Sequence, residues 1–185
     1  MNYINDKGEM RVFEGRKKTV TEDGVVWTRK SKEKYKSRAS RLQDGIGVLE
    51  TLRDEIEGYK MATDDALTLE AIKDISDSVS AEPDYSELEG LKEEMESWRD
   101  GMQGTGLENS NKYQMCEDAI NALESAVSTL ESMSYDAPDL EDELTEGESL
   151  DDKRTETVEA MQNVIDELET AISELEGIEF PTMYS

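Results

Sequence analysis

Carboxylates are the one reactive group that this sequence supplies in quantity. The 38 residues from Met115 to Asp152 hold thirteen Asp and Glu and no Lys or Arg. Side chains of that type and density suit three kinds of chemistry. A close pair, one of them protonated, runs acid–base hydrolysis. A convergent set binds a hard cation such as calcium. A long row sets negative charge where a partner is built to receive phosphates.

The first two meet obstacles in the sequence itself. Histidine is absent from all 185 residues. That removes the commonest general base, every Ser-His-Asp or Cys-His arrangement and histidine-ligated metal. One cysteine, Cys116, leaves no Cys-rich zinc site and no intramolecular disulfide. Its place on an apolar stripe reads as buried filler. Neither GxxxxGKS/T nor GxGxxG occurs, and the glycines of Asp44–Glu50 (DGIGVLE) sit in helical context at the wrong spacing. The run Asp136–Glu148 lacks the sixth-position glycine and alternate ligands of an EF-hand loop. A non-enzymatic chain without metal or cofactor is the expectation.

The row of charge then falls into three sets. Glu117, Asp118, Glu124 and Glu131 lie on one predicted helix. Asp136, Asp139, Glu141, Asp142 and Glu143 lie on the link that follows. Glu159, Asp166, Glu167, Glu169, Glu174 and Glu176 lie on the last predicted helix. Their expected role is to meet a basic protein surface, standing where phosphates stand. The plainer reading is that a charge run is a solvated helix face.

The charge is unevenly spread. Residues 1–41 carry twelve Lys/Arg and six Asp/Glu, a net of +6; residues 42–185 carry eight and forty, a net of −32. A net of −26 repels nucleic acid and anionic membranes and attracts basic proteins. The basic end interleaves cations with Trp27 and Tyr35. Arg16, Lys17 and Lys18 are its candidate nucleic-acid contacts. The competing reading has these cations balance the chain's own acidic helices.

Stepping along the chain, the positioning elements are mainly α: antiparallel helical hairpins or coiled coil behind a small N-terminal β-meander. Only 35% of residues are hydrophobic, which suits thin elements with narrow apolar seams. Residues 1–30 read as the basic meander, with strands at Glu9–Phe13, Lys18–Thr21 and Val25–Arg29 between turn signals. Residues 31–133 read as helical. One stripe runs Tyr35, Ala39, Leu42, Ile46, Leu49, Leu52, Ile56 and Tyr59. A shorter one, Leu69 to Val79, ends before Pro83, and Asp84–Glu87 resembles a capped start. Leu88, Leu91, Met95, Trp98 and Met102 form a third. Tyr113, Cys116, Ile120, Leu123, Val127 and Leu130 step by 3, 4, 3, 4, 3, as do Val158, Met161, Ile165, Leu168, Ile172 and Leu175. The acidic link 134–150 lets the helix of 151–185 fold back on 109–133. Leu52–Lys60 matches Leu91–Arg99 in chemistry, and Asp118–Glu131 matches Gln162–Glu176, the pattern of a duplicated hairpin or of converging coil sequences.

The stretch LKEEMESWRDGMQGTGLENSNKYQ followed by EDAINALESAVSTLE resembles a segment of small acidic coil-containing proteins encoded by tailed bacteriophages, over roughly residues 50–133. The resemblance implies a phage or mobile-element context and no particular activity. In that context the expected partner is a host nuclease or other nucleic-acid-binding protein, blocked by a nucleic-acid mimic. The alternative is a structural or assembly protein that self-associates through its heptads into a homo-oligomer. No apolar leader opens the chain, no stretch approaches the ~20 apolar residues of a membrane helix, and no lipidation box closes it. The expected location is the cytoplasm, of the host cell if phage-encoded, with no membrane partner.

Overall fold

The structure, a computed structural model, describes residues 16–21, 24–29, 37–141, 144 and 149–181. They fall in two compact units, Met1–Ser37 and Arg38–Ser185. In the first, β1 (Arg16–Thr21) and β2 (Gly24–Arg29) pair antiparallel, in register from Arg16↔Arg29 to Thr21↔Gly24. Their β-branched residues and Trp27 suit a ladder. The expected first strand, Glu9–Phe13, lies outside the described residues, so a hairpin is described and not a three-stranded meander.

The second unit is helical: α1 (Arg38–Asp64), α2 (Leu69–Ser78), α3 (Ser86–Met102), α4 (Asn111–Ser132) and α5 (Leu150–Glu176). The chain is mainly α. Helices α1 and α4 each pack against both α3 and α5, and neither diagonal pair touches. Four helices closed in a ring make a four-helix bundle. Neighbours run antiparallel. Arg38 reaches Glu94 while Gly45 meets Leu88 further back along α3. Along α1 and α5, Lys60 bonds Gln162 while Arg154 bonds the carbonyl of Ala66. A short turn over residues 103–110 reverses α3 into α4.

Local chemistry sets most of the helix starts. Thr68, Ser110 and Ser149 are N-caps whose hydroxyls accept from the backbone N–H groups of Ala71, Tyr113 and Asp152. Asp152 returns the bond to Ser149 N–H, closing a capping box. The expected cap at Asp84–Glu87 takes another form. Tyr85 holds the N-cap position without a side-chain bond, and Asp84 Oδ1 accepts from both the N–H and the hydroxyl of Ser86. Those two bonds hold the Asp84 carboxyl below its ordinary range.

The seams close inward. Cys116, Ile120, Leu123, Val127 and Leu130 of α4 are buried, as are Met161, Ile165, Leu168, Ile172 and Leu175 of α5. Ala119, Ala126, Val164 and Ala171 are buried beside them. This is wider than a two-helix seam because each helix has two neighbours. The expected partner of α5 was α4; its more extensive packing is on α1. Tyr113 and Val158, at the head of each seam, are only half-buried. The stripe expected to enter α1 through Ala39 does not: Ala39 is exposed, Tyr35 lies outside the described residues, and Arg38 lies over the Trp98 ring at 3.9 Å instead.

α3 is ten residues shorter than α1, and other pieces complete the wall. α2 packs on α1 and α5, and Val79, Ala81 and Tyr85 lie against the core as the chain returns to α3. Leu140 tucks the acidic link against Ala66 and Ile72. Ile178 and Phe180 cover the core beyond the end of α5. The buried hydroxyls are satisfied: Thr63 donates to Tyr59 O, Thr157 to Lys153 O, and Ser76 bonds the Tyr135 hydroxyl at 2.7 Å. No helix among the described residues is long and apolar enough to cross a membrane.

Two glycines in α1 separate space from propensity. A Cβ at Gly45 would stand 2.9 Å from Cδ2 of the fully buried Leu88, whereas one at Gly47 meets nothing within 4 Å. Gly47→Ala should therefore raise stability by up to ~1 kcal/mol, read from thermal melts by circular dichroism. Gly45→Ala should gain nothing or lose; equal gains at both sites would contradict the close α1–α3 approach. Burial also pushes the Cys116 thiol up. A disulfide-exchange reagent at pH 8 should label it on the unfolding timescale, and at once in denaturant.

Candidate acidic interface

α5 presents Glu156, Glu159, Ala160, Asn163, Asp166 and Glu167 along one side, at the helical spacing of three, four and seven. They face Ser134 and Asp136, just beyond the end of α4. Together these eight residues line a groove of about 560 Å³. Among the described residues, no Lys or Arg lines it. Glu156 has one cation, Lys153, at 3.4 Å, one turn earlier. Asp166 accepts from Gln162 Nε2 at 2.7 Å, and Asp136 from Ser134 Oγ at 3.4 Å. All five groove carboxylates are exposed.

The packing of α5 explains why these residues are together. Its buried seam turns to α1 and α4, so the residues on the α4-side flank have only the end of α4 and the link for company. That link turns sharply after Met133 and brings Ser134 and Asp136 back beside α5. Tyr135, between them, points the other way and anchors on Ser76. Burial pushes the Tyr135 hydroxyl up, partly opposed by the Ser76 bond.

Four expected residues meet in the groove: Asp136, Glu159, Asp166 and Glu167. The others do not join them, and the three expected sets are spread over several patches. Glu117, Glu124 and Glu131, seven apart, follow the flank of α4 on the side of Ile120, which packs with Met95 of α3. Ser125, one residue and 100° from Glu124, is the residue that bonds across to α5. Asp118 is exposed and accepts from Gln114. Glu169 and Glu176 are exposed on the flank of α5 that carries Gln162, toward α1. Glu174 is half-buried and accepts from Ser125, while its second oxygen is buried without a partner. Asp139 and Glu141 are exposed on the link; Asp142 and Glu143 lie outside the described residues.

Glu156 was not among the expected site residues, although its place three before Glu159 was a usable signal. Ser134 and Asn163 carried no signal, since only the fold-back of the link brings them in. The groove carboxylates are strung out and do not converge. Among the described residues, no three His, Cys, Asp or Glu side chains are grouped to hold a metal ion. Arg16, Lys17 and Lys18 stand on β1 of the other unit.

No protein-family model, curated protein or solved structure matches this chain. Its own geometry and charge are what bear on its role.

Like charges at helical spacing oppose folding by ~0.2–0.5 kcal/mol per pair and are screened by salt. Glu159 has Glu156 three residues before it, whereas Glu167 has no like charge three or four away, so the double change Glu159→Gln and Glu167→Gln should raise the melting temperature in 20 mM salt by about one degree. The gain should shrink toward zero in 0.5 M salt. A loss of stability at low salt would mean that these carboxylates have structural partners and are not an idle charged wall.

Proposed function

We propose that the chain is a non-enzymatic binding protein whose acidic groove occupies a basic nucleic-acid-binding cleft on another protein. One observation carries this reading. From Glu156 to Glu167 the helix rises ~16.5 Å, and five carboxylates including Asp136 line that length, a mean interval of ~4.1 Å, with two at each end of the helical stretch and ~10.5 Å between Glu159 and Asp166. Phosphates follow one another at ~3.4 Å along each strand of a duplex. A cleft that receives a phosphate row meets comparable charge here, on a stiff rod that loses little freedom on docking.

Three further features support it. The unit Arg38–Ser185 carries ten Lys/Arg against forty Asp/Glu, a net of −30, so its field draws a basic partner from a distance. The five groove carboxylates are all exposed, whereas a hydrolytic pair needs a partly dry pocket. Among the described residues the heptads of α4 and α5 are buried within the same chain, which supports binding through charge over self-association through those heptads. The phage resemblance then makes a host defence nuclease, or another host nucleic-acid-binding protein, the class of partner.

The test is competition. Immobilised chain should capture a basic nucleic-acid-binding protein from nuclease-treated bacterial lysate, and added DNA or RNA should displace it. Moderate salt should elute it as well. Glu159→Gln with Glu167→Gln should weaken capture at least several-fold, whereas Glu169→Gln with Glu176→Gln, on the other flank of α5, should not. Capture that nucleic acid fails to displace, or no capture alongside a defined oligomer in light scattering, would favour assembly and overturn the mimic.

A further inference from the structure

Two glycines stand two residues apart in α1, and the fold accounts for one of them. Gly45 lets Leu88 approach, whereas a Cβ at Gly47 would meet nothing within 4 Å. A glycine inside a helix weakens it against alanine, and no close packing asks for one at position 47. The space that Gly47 leaves open belongs to a groove of about 580 Å³. α1 forms one wall, and Glu82, Pro83 and Asp84, on the chain entering α3, form the other. Around the gap Val48 is 44% exposed, and Leu52 and Pro83 are half-buried. Both walls also carry carboxylates. On α1, Glu55 accepts from the Tyr59 hydroxyl at 3.4 Å. Across from it, Asp84 is held by the N–H and the hydroxyl of Ser86, with Glu82 exposed two residues before it. Among the described residues, no Lys or Arg lines this groove, and it shares no residue with the groove on α5.

We propose that this groove is a second docking surface, which takes a short basic segment of a partner protein. One apolar side chain of that segment fills the gap over Gly47, against Val48, Leu52 and Pro83. Lysines or arginines beside it pair with Glu55, Glu82 and Asp84. Charge complementarity selects the occupant. Carboxylates on both walls repel one another, and a cation entering between them is drawn by both. A second copy of the helical unit, at a net of −30, brings more charge of the same sign, and so does nucleic acid. The apolar surface adds the second requirement. A purely polar segment would leave Val48 and the gap beside it wet. An apolar anchor in a pocket, ringed by polar contacts that exclude water, is how small interfaces concentrate their affinity. The fold also keeps that pocket open at its own expense, since alanine at position 47 would strengthen α1 and begin to fill it.

The probe is a fluorescein-labelled peptide with one leucine between two pairs of lysines, titrated with the full chain at low salt. Binding should appear in fluorescence anisotropy. Replacing the leucine of the probe with serine should weaken it about tenfold. Gly47→Leu, which fills the gap without changing any charge, should also weaken it about tenfold while the thermal melt holds. Gly101→Leu enters open space on α3, outside the groove, and should change binding less than twofold. A photoreactive leucine analogue in the probe should attach between Gly47 and Leu52 or at Pro83, read by mass spectrometry. That readout leaves the protein unmutated. No binding, equal binding of the serine peptide, full affinity in Gly47→Leu, equal losses at Gly47 and Gly101, or attachment elsewhere would each overturn the proposal. None of these outcomes touches the carboxylates of the α5 groove, so either surface can fail alone.

Discussion

Leu168 has no exposed surface because α1 closes over one side of α5 and α4 over the other. The same closure buries Met161, Ile165, Ile172 and Leu175, each contributing on the order of 1.5–3 kcal/mol relative to exposure. Every other property of the helical unit rests on that ring. The unit carries a net charge of −30, and its surface charges repel one another at all pH values where carboxylates are ionised. Apolar contact must outweigh that repulsion. It does so with narrow stripes, which is why so few large apolar residues are left outside, and why α2, Leu140 and Phe180 are drawn in to complete the walls.

Much of this was readable from residue spacing. The 3-4-3-4-3 steps of α4 and α5 placed two-thirds of the buried residues of both helices. Helix class, number and approximate bounds followed from the same periodicity. What spacing could not show was how many neighbours each stripe has. A seven-residue repeat has the same appearance in a two-helix coil and in a bundle. Only the small residues beside the seam, Ala119, Ala126 and Ala171, hint at a second partner. The start of α1 was misjudged for a related reason. Ala39 kept the rhythm, but the interior position was taken by Arg38, whose guanidinium stacks on Trp98 and pairs with Glu94. A cation in a half-buried place interrupts no apolar pattern that a reader of the sequence would trust.

The site was legible in kind and not in outline. Acidic residues on the last two long helices and their link were the expected binding elements, and the groove uses α5 and the link. The expectation grouped fifteen carboxylates by element, whereas a helix turns 100° per residue and distributes them around itself. Glu124 and Ser125 are neighbours in sequence and serve opposite flanks of α4. Which flank of α5 becomes concave depends on where Met133 to Asp136 turn, and nothing local in those residues announces it.

The cations are unevenly distributed over the helical unit. Solubility of a small domain needs a net charge of roughly 2–8 in magnitude, far less than is present. The few cations are also not spread to minimise repulsion. Residues 38–112 carry eight Lys/Arg against nineteen Asp/Glu, while residues 113–185 carry two against twenty-one. Three of them join helices: Arg38 and Arg41 share Glu94 across α1 and α3, and Arg154 bonds the carbonyl of Ala66 just beyond the end of α1. Lys153 and Arg154, the two in the later stretch, both sit in the first turn of α5 and leave the rest of that helix bare of positive charge. A lysine at position 163, four residues from both Glu159 and Glu167, would add two opposite-charge pairs at helical spacing. Asn163 stands there instead, neutral and small, keeping the groove open and its charge of one sign.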